Sequence, residues 1–87
     1  METGKMIKDA YVSGKLSIGT RSVMKGLKSG KMTHVIFASN CPENYKNDVN
    51  MHAKGKTEVL EFNGDSSRLG ETCGKPFMVL MVGIKKG

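Results

Sequence analysis

The chain has 87 residues, room for one domain with one modest core. Hydrophobic residues make up 38% and charged residues 25%, ordinary globular usage that excludes a disordered basic tail. Fourteen Lys and Arg against eight Asp and Glu leave a net charge of +6 at pH 7, which favours a polyanionic partner, either nucleic acid or an anionic membrane surface.

Residues 3–13 place Met6, Ile7, Ala10 and Tyr11 on one helical face, with Gly14 as a left-handed terminator. Leu16-Ser17-Ile18 alternates as a short strand. Thr20 is expected to cap a second helix that turns Val23, Met24 and Leu27 inward and stops at Gly30. Residues 32–39 contain the apolar run Val35-Ile36-Phe37-Ala38, expected of a central strand covered on both faces. Asn40-Cys41-Pro42 turns the chain into a third helix, with Pro42 suited to its first position. Tyr45, Val49 and Ala53 share a face of that helix, and Gly55 closes it. Residues 58–62 alternate as a strand, and Asp65 or Ser66 caps a short helix that runs through Leu69 and Cys73 to Gly74. Residues 77–84 read as a last strand, apolar throughout. Helices alternating with strands predict an α/β fold: a three-layer α/β/α sandwich with a four-stranded mixed sheet, one domain over residues 1–87.

Several function classes fall away. The longest apolar run, residues 77–82, is far short of the roughly 20 needed to span a bilayer. The N-terminal Met1-Glu2-Thr3-Gly4-Lys5-Met6 has no apolar signal-peptide core, so secretion is not expected. Cys41 and Cys73 stand far apart without metal-ligand spacing, so neither a disulfide framework nor a metal site is expected, and two free thiols suit a reducing compartment. Gly26-Leu27-Lys28-Ser29-Gly30-Lys31 and Gly70-Glu71-Thr72-Cys73-Gly74-Lys75 look superficially like phosphate loops. Each has one residue too few between its glycines, lacks Lys-Ser/Thr and follows a helix, so both read as helix ends. His34 and His52 lack a nucleophile arrangement. Cys41 at a helix start keeps a small thiol-dependent enzyme as a minor alternative. The expectation is no catalysis, no cofactor, no small-molecule substrate and no membrane.

The charge is unevenly spread. Residues 1–37 hold seven basic and two acidic residues, residues 43–71 four basic and six acidic, and residues 75–87 three lysines. Arg21, Lys25 and Lys28 follow i, i+4, i+7 spacing and form one stripe of the second helix. Such a stripe is ordinarily a solvated face. This one has no acidic partner at i±3 or i±4, so its charges repel unless an anion covers them, and it reads as a face for RNA.

Three segments then fall at one end of the expected sandwich: Ile18-Gly19-Thr20-Arg21, Ser39-Asn40-Cys41-Pro42, and Leu69-Gly70 through Gly74-Lys75-Pro76-Phe77. In this order and spacing, over residues 5–84, they resemble the L-thirty-e family of large-subunit ribosomal proteins of eukaryotes and archaea, within the kink-turn RNA-binding superfamily. The resemblance implies a sandwich whose loops grip a sharply bent RNA helix. It implies that Gly19, between Ile18 and Thr20, lets backbone approach RNA, and that Arg21 meets a phosphate or base edge. Asn40, beside Cys41 and Pro42, would bond an exposed base, and Phe77, after Gly74-Lys75-Pro76, would stack on an extruded one. Unpaired, splayed bases suit both contacts. Read from the residues alone, Phe77 also fits a core aromatic, Asn40 a turn-and-cap residue and Gly19 a purely conformational glycine. The implied partners are ribosomal RNA, neighbouring ribosomal proteins and small-subunit components at the subunit interface, in the cytoplasm. Gly19-Thr20-Arg21-Ser22, where guide-RNA branches carry Gly-x-Asn-Glu, favours the ribosomal branch over a guide-RNA or regulatory-RNA binder. Residues 53–56 look one residue shorter than usual, and the chain stops three residues after Ile84, without the longer extension of many relatives.

Overall fold

In the computed structural model, which describes residues 2–53 and 57–86, four helices and four strands alternate: α1 Glu2–Val12, β1 Leu16–Ile18, α2 Thr20–Lys28, β2 Met32–Phe37, α3 Glu43–Ala53, β3 Glu58–Glu61, α4 Ser66–Thr72 and β4 Met81–Lys85. The sheet order is β1-β4-β2-β3. β4 is antiparallel to both neighbours, and β2 is parallel to β3, so the sheet is mixed as expected. The two strands with continuous apolar runs occupy its centre, because only a strand covered on both faces can bury every side chain. Val35 and Phe37 of β2 pack with Val23, Leu27 and Val49 under α2 and α3. Ile36 and the following Ala38 pack with Ile7, Leu69 and Cys73 under α1 and α4. The strand's twofold alternation thus feeds two separate cores, one in each layer boundary of an α/β/α sandwich.

Four local expectations need correction. Thr20 does not cap α2: it is the first helical residue, and Gly19 is the cap, with no side-chain bond. Pro42 stands just before α3 rather than in its first position, and its carbonyl accepts the Tyr45 and Lys46 N–H groups at 3.2 and 3.3 Å. The last strand begins at Met81, not at residue 77. The Val79 N–H bonds the Ser66 carbonyl at 3.0 Å, which holds the preceding residues against the start of α4 and off the ladder. Cys41, grouped with the RNA-facing loop by its position, is 6% exposed and packs in the α2–α3 core. A small polarizable thiol beside a strand end fills space as a hydrophobe does. The Asp65 expectation holds: its carboxylate accepts the Arg68 N–H at 3.0 Å. Closure of α3 at Gly55 and the length of the following loop lie outside the described residues.

Burial pushes the thiols of both Cys41 and Cys73 above their ordinary pKa, only partly offset by Lys46 and Lys75 respectively. Because the folded-state pKa is raised, the contribution to stability is complete below the unfolded thiol value of about 8.5 and is lost as pH rises through the folded value. Native protein is therefore expected to react with iodoacetamide near pH 8 at least tenfold more slowly than the urea-unfolded chain, both thiols alike. Fast native labelling of Cys41 alone would show the activated thiolate that a thiol-dependent enzyme requires.

Candidate nucleic-acid interface

β1 and β2 end, and β4 begins, at the same end of the sheet. The backbone ties four loop segments together there. The Gly19 N–H donates to the Met81 carbonyl at 3.1 Å, the Ala38 N–H to Leu80 at 2.8 Å and the Ser39 N–H to Gly64 at 2.8 Å. Asn40 links its loop to the start of α4: its Oδ1 accepts the Ser66 N–H at 2.9 Å, and its Nδ2 donates to the Ser66 hydroxyl at 3.1 Å. One N–H and one lone pair of this amide stay free of those bonds. Its orientation is set by a hydroxyl and a backbone donor 26 positions along the chain.

Two glycines shape the rest. Gly19 has φ 99° and ψ 155°, a region open essentially to glycine alone. A Cβ there would meet nothing within 4 Å, so bare backbone faces open space. Gly70 is the opposite case. It lies inside α4, and a Cβ would overlap the carbonyl oxygen of Phe77 and lie 3.2 Å from its carbonyl carbon. The segment carrying Phe77 therefore rests directly on the α4 backbone. Gly74, at φ 72°, reverses the chain after α4, and Pro76 disfavours helical backbone at Lys75. The outcome is a ring that a run of apolar letters had assigned to a strand but that the fold leaves outside it. Phe77 is 57% exposed and Met78 71% exposed.

Between these loops lies a groove of about 550 Å³, walled by Ile18, Gly19 and Thr20 on one side and by Lys75, Phe77 and Met78 on the other. Arg21 is exposed one residue into α2 at this end. Among the described residues the only ion pair is His34 Nε2 with Glu58 Oε1 at 3.4 Å, so Arg21 faces solvent without a carboxylate. Of the residues singled out from sequence, Ile18, Gly19, Thr20, Lys75 and Phe77 meet in this groove, with Gly74 and Pro76 in the loop that carries the ring. Asn40 and Pro42 stand exposed in the adjoining loop. Lys25 and Lys28 are not brought to it. Nine helical residues advance about 13 Å, so the stripe leads away from the loops, and the two lysines border other depressions. Met78, and the link from Ser66 to Asn40, escaped the sequence reading. Met78 is hidden in an apolar run, and Ser66 acts through a contact that no local spacing signals.

The fold and this end define a class: a small α/β/α domain with loops gathered at one end of its sheet, and with no metal-holding cluster among the described residues. The chain belongs to the Ribosomal protein L7Ae/L30e/S12e/Gadd45 family, whose model matches residues 1–87. The large ribosomal subunit protein eL30 of Archaeoglobus fulgidus is 35% identical over 83 residues, 95% of this chain and 93% of its own length. The eL30 protein of Methanothermobacter thermautotrophicus is 38% identical over 80 residues, covering 91% and 82%. Among solved structures, the 15.5-kD RNA-binding protein of Giardia lamblia superposes with TM-score 0.79 at 19% identity, over 99% of this chain and 72% of that one. A protein of unknown function from Bacillus halodurans gives 0.81 at 21% identity, over 97% and 84%. At these identities the likeness is one of fold.

Proposed function

We infer that this chain is a structural constituent of the large ribosomal subunit that binds a kinked ribosomal RNA element through its loop end, and that it acts by binding rather than by catalysis. The observation that carries the reading is that the exposed Phe77 ring and the bare backbone of Gly19 line one groove. A sharply bent RNA offers what such a groove accepts: an extruded base to stack on the ring and a phosphate close to backbone N–H groups. Arg21 supplies charge at the first turn of α2, and the free edge of the Asn40 amide is aimed at a second base. Lys75 stands beside the ring as a phosphate partner. The remaining partners under this reading are neighbouring ribosomal proteins in the cytoplasm, with small-subunit components where the two subunits meet.

Two measurements test it. In a cell extract the protein should sediment with large subunits and shift to light fractions after nuclease treatment. Purified protein should bind a kinked internal loop with a log–log salt slope reflecting roughly three to five phosphate contacts. A flat salt titration, or sedimentation unchanged by nuclease, would overturn the reading.

A further inference from the structure

Most of the excess charge is not at the loop end. β2 runs away from the opposite end of the sheet, where β1 starts and β4 finishes, about 17 Å from the loops for five strand steps. The chain segments entering and leaving there are lysine-bearing, and main-chain hydrogen bonds hold them side by side. The Lys85 N–H donates to the Lys15 carbonyl, and the Lys86 N–H to the Lys31 carbonyl, each at 2.8 Å. Lys25, Lys31 and Lys85 border one groove of about 520 Å³ with Ser22 and Ser29. Lys28 and Lys86 border a neighbouring depression of about 390 Å³ with His52. All six lysines are exposed, and none is in an ion pair among the described residues. Glu58, which opens β3 at this end, faces His34.

Lys25 and Lys28 alone would need no ligand, since cations in the last turn of α2 complement its dipole. Lys15, Lys31, Lys85 and Lys86 lie outside any helix, so that explanation does not reach them. Four like charges on adjacent strands and turns repel one another, and only an anion with repeated charge relieves all of them together.

We propose that this lysine-rich end is a second RNA-contact surface, which takes the phosphate backbone of a separate duplex while the loop end holds the kinked element. The protein then bridges two RNA segments. The partner is a duplex because both grooves are bordered by ammonium and hydroxyl groups, with no Phe, Tyr or Trp in either lining, which suits phosphates and not splayed bases. The proposal goes beyond the loop-end reading, and its first arm does not depend on it.

The test uses a labelled RNA duplex of 20 base pairs without an internal loop. Wild-type protein should bind it with marked salt dependence. The Lys31→Gln/Lys85→Gln/Lys86→Gln variant should lose about tenfold or more in affinity, with the salt slope reduced by about three. It should bind a short kinked RNA within about threefold of wild type. Phe77→Ala should show the reverse pattern, so the two variants control each other's folding. Saturating unlabelled kinked RNA should leave the duplex bound, as a ternary complex. Displacement of the duplex by kinked RNA would overturn the proposal, as would unchanged duplex binding by the triple variant. Equal loss of both RNAs in that variant would show one continuous site. Displacement by polyglutamate at matched charge but not by excess unlabelled duplex would assign the surface to an acidic protein segment instead. If wild-type protein binds the duplex but no kinked RNA, the loop-end reading fails and the second surface stands.

Discussion

Truncating Phe77 to alanine should weaken binding to a kinked internal loop by about 1–3 kcal/mol, the range found for removing one base-stacking aromatic. It should leave stability within about 0.5 kcal/mol of wild type, as for surface substitutions away from special contacts. The separation of the two effects is the point. With 57% of the residue exposed, the ring has little core contact to lose, whereas a buried phenylalanine costs about 3–5 kcal/mol on truncation. Binding to a plain duplex should change far less, because a duplex extrudes no base. Asn40→Ala is a less clean probe than its place at the strand end suggests. It removes two bonds to Ser66 and leaves that N–H without its partner, so a stability loss of about 1–3 kcal/mol accompanies any binding loss. Phe77→Leu, which keeps apolar bulk but removes the flat face, should recover little affinity. A Phe77→Ala protein that unfolds readily while its folded fraction binds kinked RNA normally would place the ring in the core and end the assignment.

The central strands were legible because burial on both faces leaves a direct mark: Val35 to Ala38 and the start of β4 have no polar letter to alternate. The inward face of α2 was legible for the same reason, with Val23 and Leu27 at helical spacing and both buried. Where an apolar residue serves something other than the core, that logic fails. Phe77 and Met78 carry the same letters as the strand that follows them, and only the Ser66–Val79 bond and the Gly70 contact separate ring from ladder. Cys41 failed in the other direction, since a thiol in a turn looks available until the core closes over it. The Asn40–Ser66 link spans 26 residues, and the lysines at positions 15, 31, 85 and 86 form no local pattern at all. Their adjacency exists only through strand pairing, which periodicity does not report. The stripe on α2 was visible and its direction was not. A helix shows its charged face in sequence, but which end meets the site depends on the sheet it crosses.

Gly70→Ala should be destabilising where helix propensity alone says the opposite. In an unhindered helix position this change gains up to about 1 kcal/mol. At Gly70 the added methyl overlaps the Phe77 carbonyl oxygen and lies 3.5 Å from Met78 Cα. These are backbone atoms, which cannot rotate away as a side-chain end can, so the expected result is a net loss of about 1–3 kcal/mol, the usual cost of overpacking. For a domain of this size each kcal/mol lowers the Tm by about 4–8 °C. Gly4→Ala in α1 is the internal control, because a Cβ there meets nothing within 4 Å; it should be neutral or stabilising. The same overlap pushes the loop outward and turns the Phe77 ring from the groove, so affinity for kinked RNA should fall although Gly70 itself is buried. That indirect route has its own signature. If Gly70→Ala acts on RNA through the ring, then adding it to Phe77→Ala should weaken binding no further. A Gly70→Ala protein with unchanged Tm and unchanged RNA affinity would mean that the contact between α4 and the Phe77 backbone does not hold the ring in place.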